Sequence, residues 1–346
     1  MSLETQLFYL WLALAGIFLF WRIVTHPIGR IHGAVMNGDL ESVKRYIENG
    51  VDVDYRQNNS VTPLCLAASG GHKEIAVFLI ERGADIDRGL DEEDRVNPLL
   101  EAAIHHHSEL VENFIARGAK IGIHFAALQG DINAVRNYID QEIPINATRN
   151  RGMTPLHCAA LGGHRQMAEL LIDNGADINF DTPASETPLH QAVRHNRIEV
   201  VELLIDRGAD MNRIGKAGTP LHVAVYENNR QIVELLIAKG AEVNKENGGW
   251  DSALHIAAIK GCVEIAELLL SSGAQVNSST KFQERTPLHY AAGKGNLKVA
   301  ELLITYGANV NSRSWIGATP LSEAGNCTEM IALLQSYGAT DFGSVS

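Results

Sequence analysis

Residues 187–212 read TPLHQAVRHNRIEVVELLIDRGADMN and contain the signals for two short helices. Thr187 is typical of a helix N-cap, and Pro188 follows at the first helical position, where a missing N–H costs nothing. The apolar residues that begin at Val200 lie on one face of a second helix. Gly208 is suited to the left-handed conformation that ends such a helix. The stretch therefore predicts a helix, a turn and a second helix.

The same pattern recurs along most of the chain, with a period of about 33 residues. Thr-Pro-Leu begins units at Thr62, Thr154, Thr187, Thr219, Thr286 and Thr319, and variants of it begin at Asn97 and Ser252. One helix pair cannot bury its own apolar face, so consecutive units must stack and share a continuous core. The sequence therefore predicts an all-α solenoid.

This pattern resembles the ankyrin repeat, because Thr-Pro-Leu-His is intact at 154–157, 187–190, 219–222 and 286–289. The resemblance covers roughly residues 30–340, which correspond to about ten repeats. A hydrophobic helix is expected before them. The resemblance implies helix pairs joined by short hairpin-like loops, with protein binding on a concave face. It also implies hydrogen bonds between repeats from the recurring His157, His190, His222, His255 and His289.

The junction between Gly118 and His124 departs from the pattern, because little chain separates two units there. The usual hairpin is missing, so we expect a break in the regularity of the stack. The break divides membrane-proximal repeats at 25–121 from distal repeats at 122–341, and residues 342–346 form a short tail.

The N-terminal region differs from the repeats, because residues 7–24 are almost entirely apolar. A helix of that length spans roughly 27 Å, slightly less than the roughly 30 Å of a bilayer core. The first 21 residues contain no Lys or Arg, whereas basic residues follow, and this orients the repeats toward the cytoplasm. We expect a single-pass transmembrane helix at 7–24 after a tail at 1–6. A cleaved secretory signal and a soluble docking helix are the alternatives.

Composition and motifs argue against nucleic-acid binding and catalysis. The chain has 41 acidic and 29 basic residues, and its formal charge of -12 repels polyanions. It contains no phosphate-binding loop, nucleophile elbow, His-Glu-x-x-His motif or well-spaced Cys/His set. The consecutive His105, His106 and His107 point about 100° apart on a helix and do not converge on one metal. We expect no catalytic residue, cofactor, metal or small-molecule substrate.

Protein binding is expected on the hairpin tips and just after the paired alanines of the first helices, where ankyrin-like repeats vary. Arginine and aromatic residues dominate the hot spots of protein interfaces. The candidate binding residues are Arg149, Arg151, Met153, Phe180, His195, Tyr226, Trp250, Lys260, Phe282, Arg285 and Trp315.

Three of these aromatic residues, Trp250, Phe282 and Trp315, fall on corresponding hairpins of three successive repeats. We expect them to contact a protein partner; the alternative is that each ring packs against the neighbouring hairpin. The expected function is that of a membrane-anchored adaptor, scaffold or regulator of another protein. The alternatives are a regulatory subunit of a membrane enzyme or transporter, and a secreted effector if the N-terminal segment is cleaved.

Overall fold

The computed structural model describes residues 27–56, 61–89, 96–150, 152–184, 186–247 and 251–340. Over these ranges the chain forms twenty helices in ten consecutive pairs. The first three pairs are α1 Pro27–Met36 with α2 Leu40–Glu48, α3 Pro63–Gly70 with α4 Lys73–Glu81, and α5 Pro98–Ile104 with α6 Ser108–Ala116.

Seven further pairs follow along the chain. They are α7 Ile123–Gln129 with α8 Ile132–Asp140, α9 Pro155–Gly162 with α10 Arg165–Asp173, α11 Pro188–Arg194 with α12 Ile198–Asp206, α13 Pro220–Tyr226 with α14 Arg230–Ala238, α15 Ala253–Lys260 with α16 Val263–Ser271, α17 Pro287–Lys294 with α18 Leu297–Thr305, and α19 Pro320–Glu323 with α20 Thr328–Ser336. The predicted all-α solenoid of about ten repeats is confirmed.

The helix boundaries at α11 and α12 lie where the sequence places them. Thr187 has the extended backbone of an N-cap, and Pro188 is the first helical residue. The backbone N–H of Thr187 donates to Nδ1 of His190 at 3.2 Å, so the histidine satisfies an N–H at the start of the helix. Gly208 follows the end of α12 with φ of 92°, a conformation that only glycine adopts without strain.

The helices form two layers within the stack. Among α1 to α6, and again among α9 to α20, the first helix of each pair packs against the first helices of neighbouring pairs. The second helices from α10 to α20 pack against one another in the same way. Small residues allow this close approach, and Ala192 at the centre of α11 is completely buried. Each repeat thus completes the core of the next, as a solenoid requires.

The chain divides into two compact units. Among the described residues, the first comprises 27–125 with 147–150, and the second comprises 126–146 with 152–340. The first unit contains α1 to α6. The second contains α8 to α20, and its repeats carry most of the candidate binding residues.

The connection between α6 and α7 is shorter than the other connections between repeats. Six residues, 117–122, join these helices, whereas the thirteen residues 207–219 join α12 to α13. The hairpin predicted to be missing between Gly118 and His124 is therefore absent from this part of the described chain.

The predicted single-pass membrane location, with the repeats facing the cytoplasm, is corrected by the structure. Among the described residues, no helix is long and apolar enough to cross a bilayer. The longest of them, α1, has 10 residues and rises about 15 Å, roughly half of a bilayer core. The predicted span at 7–24 lies outside the described residues.

Candidate protein-binding surface

The recurring histidines join neighbouring repeats of the second unit. The Nε2 of each donates to a backbone carbonyl about one repeat further along the chain, over 3.0 to 3.1 Å. The pairs are His157 with Glu186, His190 with Gly218, His222 with Asp251, His255 with Arg285, and His289 with Ala318. The expected hydrogen bonds between repeats are confirmed, and these rings are structural.

Burial keeps these histidines neutral. It lowers the pKa of His157, His222 and His255 to about 4 by removing the charged ring from water. A neutral ring suits the contacts, because Nδ1 accepts a backbone N–H while Nε2 donates. These recurring histidines therefore carry no charge near neutral pH.

Two neighbouring hairpin tips in the second unit form an apolar cleft of about 340 Å³, which we call the tip cleft. It is lined by Phe282, Gln283, Arg285, Ser314, Trp315 and Ile316. Phe282 is 71% exposed, Trp315 75% and Ile316 72%. The structure thus brings together three of the predicted residues, namely Phe282, Arg285 and Trp315.

Backbone hydrogen bonds hold the two tips beside each other. The N–H of Trp315 donates to the carbonyl oxygen of Gln283 at 2.9 Å. Ser314 is buried beneath the second tip, where its Oγ accepts the N–H of Ala318 at 3.1 Å. The aromatic rings are therefore presented from an ordered backbone.

The polar side of the tip cleft is an ion pair. Nη2 of Arg285 donates to Oε1 of Glu323 at 2.6 Å, and both side chains are partly buried. The guanidinium carbon lies 5.9 Å from the centre of the Tyr290 ring. These contacts fix the Arg285 side chain, which lines the cleft.

A second contact between predicted residues lies on the first-helix layer. Nζ of Lys260 lies 4.1 Å from the centre of the Tyr226 ring, which is 56% exposed. Such cation–π contacts at exposed sites stabilise by about 0.5 to 1 kcal/mol. Tyr226 at the end of α13 and Lys260 at the end of α15 thus form one exposed patch across two repeats.

The other predicted residues do not join the tip cleft. Phe180 is half-buried, with its ring edge-on to His157 at 6.3 Å between centroids, so part of its surface is used for packing. Met153 and His195 are half-buried. Arg149 belongs to the first unit and donates to the carbonyl of Thr148 at 2.7 Å. Arg151 and Trp250 lie outside the described residues.

The sequence reading missed three residues of the tip cleft. Gln283 and Ser314 are neither aromatic nor cationic, so a search for aromatic and basic residues does not select them. Ile316 could have been predicted, because it follows Trp315 at a hairpin tip, where two adjacent apolar side chains cannot both be buried and form an exposed patch. In the described ranges, no group of three His, Cys, Asp or Glu side chains is arranged to hold a metal ion.

Family models match nearly the whole repeat region. The model described as "Ankyrin repeats (3 copies)" matches residues 31–123, 123–215 and 213–280, and the model "Ankyrin repeat" matches residues 283–315. Together these matches cover well over half of the chain.

Curated relatives match over shorter stretches. A stretch of 71 residues is 42% identical to protein phosphatase 1 regulatory subunit 27 of Mus musculus and of Homo sapiens, covering 20% of this chain and 46% of each relative. A stretch of 58 residues is 38% identical to acyl-CoA-binding domain-containing protein 2 of Arabidopsis thaliana, covering 17% of this chain and 16% of that protein. The chain thus spans less than half the length of these relatives.

Solved structures share the fold over more of the chain. The ankyrin repeat domain of human ASB11 is 31% identical, with a TM-score of 0.57 over 63% of this chain and 97% of that domain. The ankyrin repeat domain of Bcl-3, a member of the IkappaB protein family, is 26% identical, with a TM-score of 0.56 over 62% of this chain and 98% of that domain.

Proposed function

The chain belongs to the ankyrin repeat family, and from this premise we propose that it binds another protein as an adaptor, scaffold or regulator. Ankyrin repeats are protein-interaction modules, and stacked repeats offer extended surfaces for contact. The proposed surface is the row of hairpin tips and first-helix ends in the second unit, from Tyr226 to Ile316.

One observation carries this proposal. Phe282, Trp315 and Ile316 are the most exposed large apolar side chains of the described residues, and all three lie on two neighbouring tips. Single exposed apolar residues are common on protein surfaces, but a cluster of them marks an interaction site. Aromatic rings bury a large area with few rotors, which makes them effective anchors.

The reactive side chains in the repeats support binding in preference to catalysis. Burial raises the pKa of the Cys65 and Cys158 thiols to about 12, so neither forms a thiolate nucleophile near neutral pH. The buried His157 uses both ring nitrogens in structural contacts, since Nδ1 accepts the N–H of Thr154 in its own repeat and Nε2 donates to the carbonyl of Glu186 in the next.

Affinity purification from the native cell tests the proposal. The baits are the full chain, its Phe282→Ala/Trp315→Ala variant, and a Glu264→Ala/Glu267→Ala variant altered on the exposed face of α16. We expect one protein to be captured by the first and third baits and lost from the second. Capture of no protein by any bait would reject the protein-binding function. Capture of the same proteins by all three baits would reject the hairpin tips as the binding surface.

A second candidate is regulation of an enzyme in trans. The likeness to protein phosphatase 1 regulatory subunit 27 supports it, since that relative is a regulatory subunit by name. Adding the purified chain to protein phosphatase 1 and following dephosphorylation of a protein substrate tests this candidate. A saturable change in rate is expected, and an unchanged rate together with no binding would reject it.

We also propose that residues 25–121 and 122–341 are separate modules, the second of which binds the partner. The short connection at 117–122 and the division into two compact units support this. Expression of residues 122–341 alone is expected to give a folded fragment that retains the partner. A fragment that does not fold would contradict the division.

A further inference from the structure

The size and walls of the tip cleft suit a single large apolar side chain. Pockets that enclose a small molecule measure about 300–1,000 Å³. The tip cleft, at about 340 Å³, lies at the lower end of this range and has room for one or two side chains. Its apolar walls are the Phe282 ring on one tip and Trp315 with Ile316 on the other. An aromatic or large aliphatic side chain fits between these walls.

The walls are set before any partner arrives. The N–H of Trp315 is bonded to Gln283, and within the first tip the N–H of Thr280 donates to the carbonyl oxygen of Arg285 at 3.0 Å. In the second tip, the N–H of Ser314 donates to the carbonyl oxygen of Ala318 at 2.8 Å. A surface that is already ordered loses little conformational entropy on binding, which favours affinity for a short segment.

The rim of the tip cleft is basic although the chain is acidic. The two tips, residues 281–285 and 313–316, carry Lys281, Arg285 and Arg313 against Glu284, whereas the whole chain has 29 basic and 41 acidic residues. Exposed Lys281 directly precedes Phe282, and exposed Arg313 directly precedes Ser314. Glu284 is the acidic residue exposed at the same tips.

Among the residues that line the cleft, Arg285 is the charged one. Arg285 lines the cleft, and Glu323 engages its Nη2 from one side. A guanidinium group has five N–H donors in a planar fork, so one carboxylate does not exhaust it. Complementary charge around an apolar anchor steers association and sets the orientation of the bound segment.

We propose that the tip cleft binds an acidic peptide segment in which a large apolar side chain, seated between Phe282 and Trp315, is flanked by Asp or Glu residues facing Lys281, Arg285 and Arg313. This inference rests on the proposed protein-binding function and specifies the chemistry of the partner. The segment belongs to another protein.

Selection from a random peptide library displayed on phage, with the full chain as bait, tests the chemistry of the partner. Counter-selection uses the Phe282→Ala/Trp315→Ala variant. We expect the enriched sequences to contain a large apolar residue with Asp or Glu on at least one side. Enrichment of basic sequences, of apolar sequences without acidic residues, or of none, would overturn the inference.

The enriched peptide is then synthesised with a fluorescent label, and its affinity is measured by anisotropy. The Phe282→Ala/Trp315→Ala variant is expected to bind about thirtyfold more weakly, as loss of a hot spot requires. Lys281→Glu/Arg313→Glu is expected to weaken binding and to reduce its dependence on salt. Tyr306→Ala removes an exposed aromatic ring from the second-helix layer and is the control expected to leave affinity unchanged.

The outcomes separate this inference from the proposed function. If peptides or the cellular partner still bind Phe282→Ala/Trp315→Ala at full strength, the tip cleft is not the site, although the chain still binds proteins. If wild-type chain self-associates in sedimentation and the variant does not, a second copy occupies the cleft and the acidic-peptide inference is overturned.

Discussion

His157 donates its Nε2 proton to the carbonyl oxygen of Glu186, 3.0 Å away in the next repeat, while its Nδ1 accepts the N–H of Thr154 at 3.1 Å. Only the neutral ring makes both contacts, because imidazolium has no acceptor nitrogen. The same pair of contacts recurs at His222 and His255, so the join between repeats depends on pH in a predictable direction.

We predict that stability falls as the pH is lowered from 6.5 toward 4. The folded pKa of His157, His222 and His255 is about 4, below the 6.5 of the unfolded chain. The unfolded state therefore binds more protons in this window, and the stability present above pH 6.5 is lost on acidification. At pH 5.5 the loss is about 1.4 kcal/mol per histidine. Urea unfolding across the range measures it, and a flat profile would contradict the assignment.

A matched variant isolates one ring. In the last repeat, Ser322 occupies the histidine position and its Oγ accepts the N–H of Thr319 at 2.9 Å. We predict that His222→Ser, which copies this arrangement, lowers the free energy of unfolding at pH 7.5 by about 2 kcal/mol through the lost bond to Asp251. The free energy of unfolding of this variant should also fall less steeply on acidification than that of the wild-type chain. Equal slopes for the two chains would show that His222 does not titrate as described.

Thiol reactivity is predicted to distinguish the four cysteines. Cys65, Cys158 and Cys262 are buried, and burial raises the pKa of each thiol. Cys327 is only partly buried. We expect Ellman's reagent to count about one fast thiol in the native chain, four after denaturation, and none that is fast in native Cys327→Ser. Fast reaction of a second thiol would show that a repeat opens readily.

Two glycines test how tightly neighbouring hairpins pack. Gly152 and Gly208 both have positive φ, 85° and 92°. A Cβ on Gly152 would overlap Cδ of Pro183, whereas nothing lies within 4 Å of a Cβ on Gly208. We predict that both alanine variants lose about 1 kcal/mol of stability to backbone strain, and that Gly152→Ala loses clearly more. Urea unfolding measures both free energies of unfolding. Equal losses in the two variants would mean that the hairpin containing Pro183 moves aside at little cost.

The repeat architecture could be predicted because its signals are local. Thr187, Pro188 and Gly208 act through the backbone within one or two turns, and the same signals recur in each unit. Contacts between units were harder to predict. Cys65 replaces histidine in the second repeat and still donates to a carbonyl of the next hairpin, that of Val96, at 3.3 Å. The position of residue 65 within its repeat predicts a hydrogen bond to the next hairpin, but it does not predict that a thiol is the donor.

Other contacts had no signal in the sequence. Asn150 is buried in the first unit, where its Oδ1 accepts the N–H of Asn97 and its Nδ2 donates to Glu101. Asn97 is followed at the third position by leucine, so no histidine can cap its N–H, and a side chain 53 residues away does so. Bonds at that separation follow from the three-dimensional path of the chain, which the period alone does not give.

The candidate surface was predictable in part. Phe282 and Trp315 were placed on corresponding hairpins, and stacking of the repeats brings their tips together. The same reasoning placed Phe180 on the surface, but its ring packs edge-on to His157. Which aromatic residue packs and which stays exposed depends on the neighbouring hairpin, and that information is spread over two repeats.

Photo-crosslinking tests most directly whether the tip cleft is a protein-binding site. A photoreactive amino acid is placed at 315, on the cleft, or at 267, on the exposed face of α16, and the full chain is irradiated in its native cell. We predict a crosslink to one partner protein from position 315 and none to that protein from position 267. The free energy of unfolding of both substituted chains should lie within about 0.5 kcal/mol of the wild-type value. Equal crosslinking from the two positions, or none from 315 in a folded chain, would contradict a binding site at the cleft.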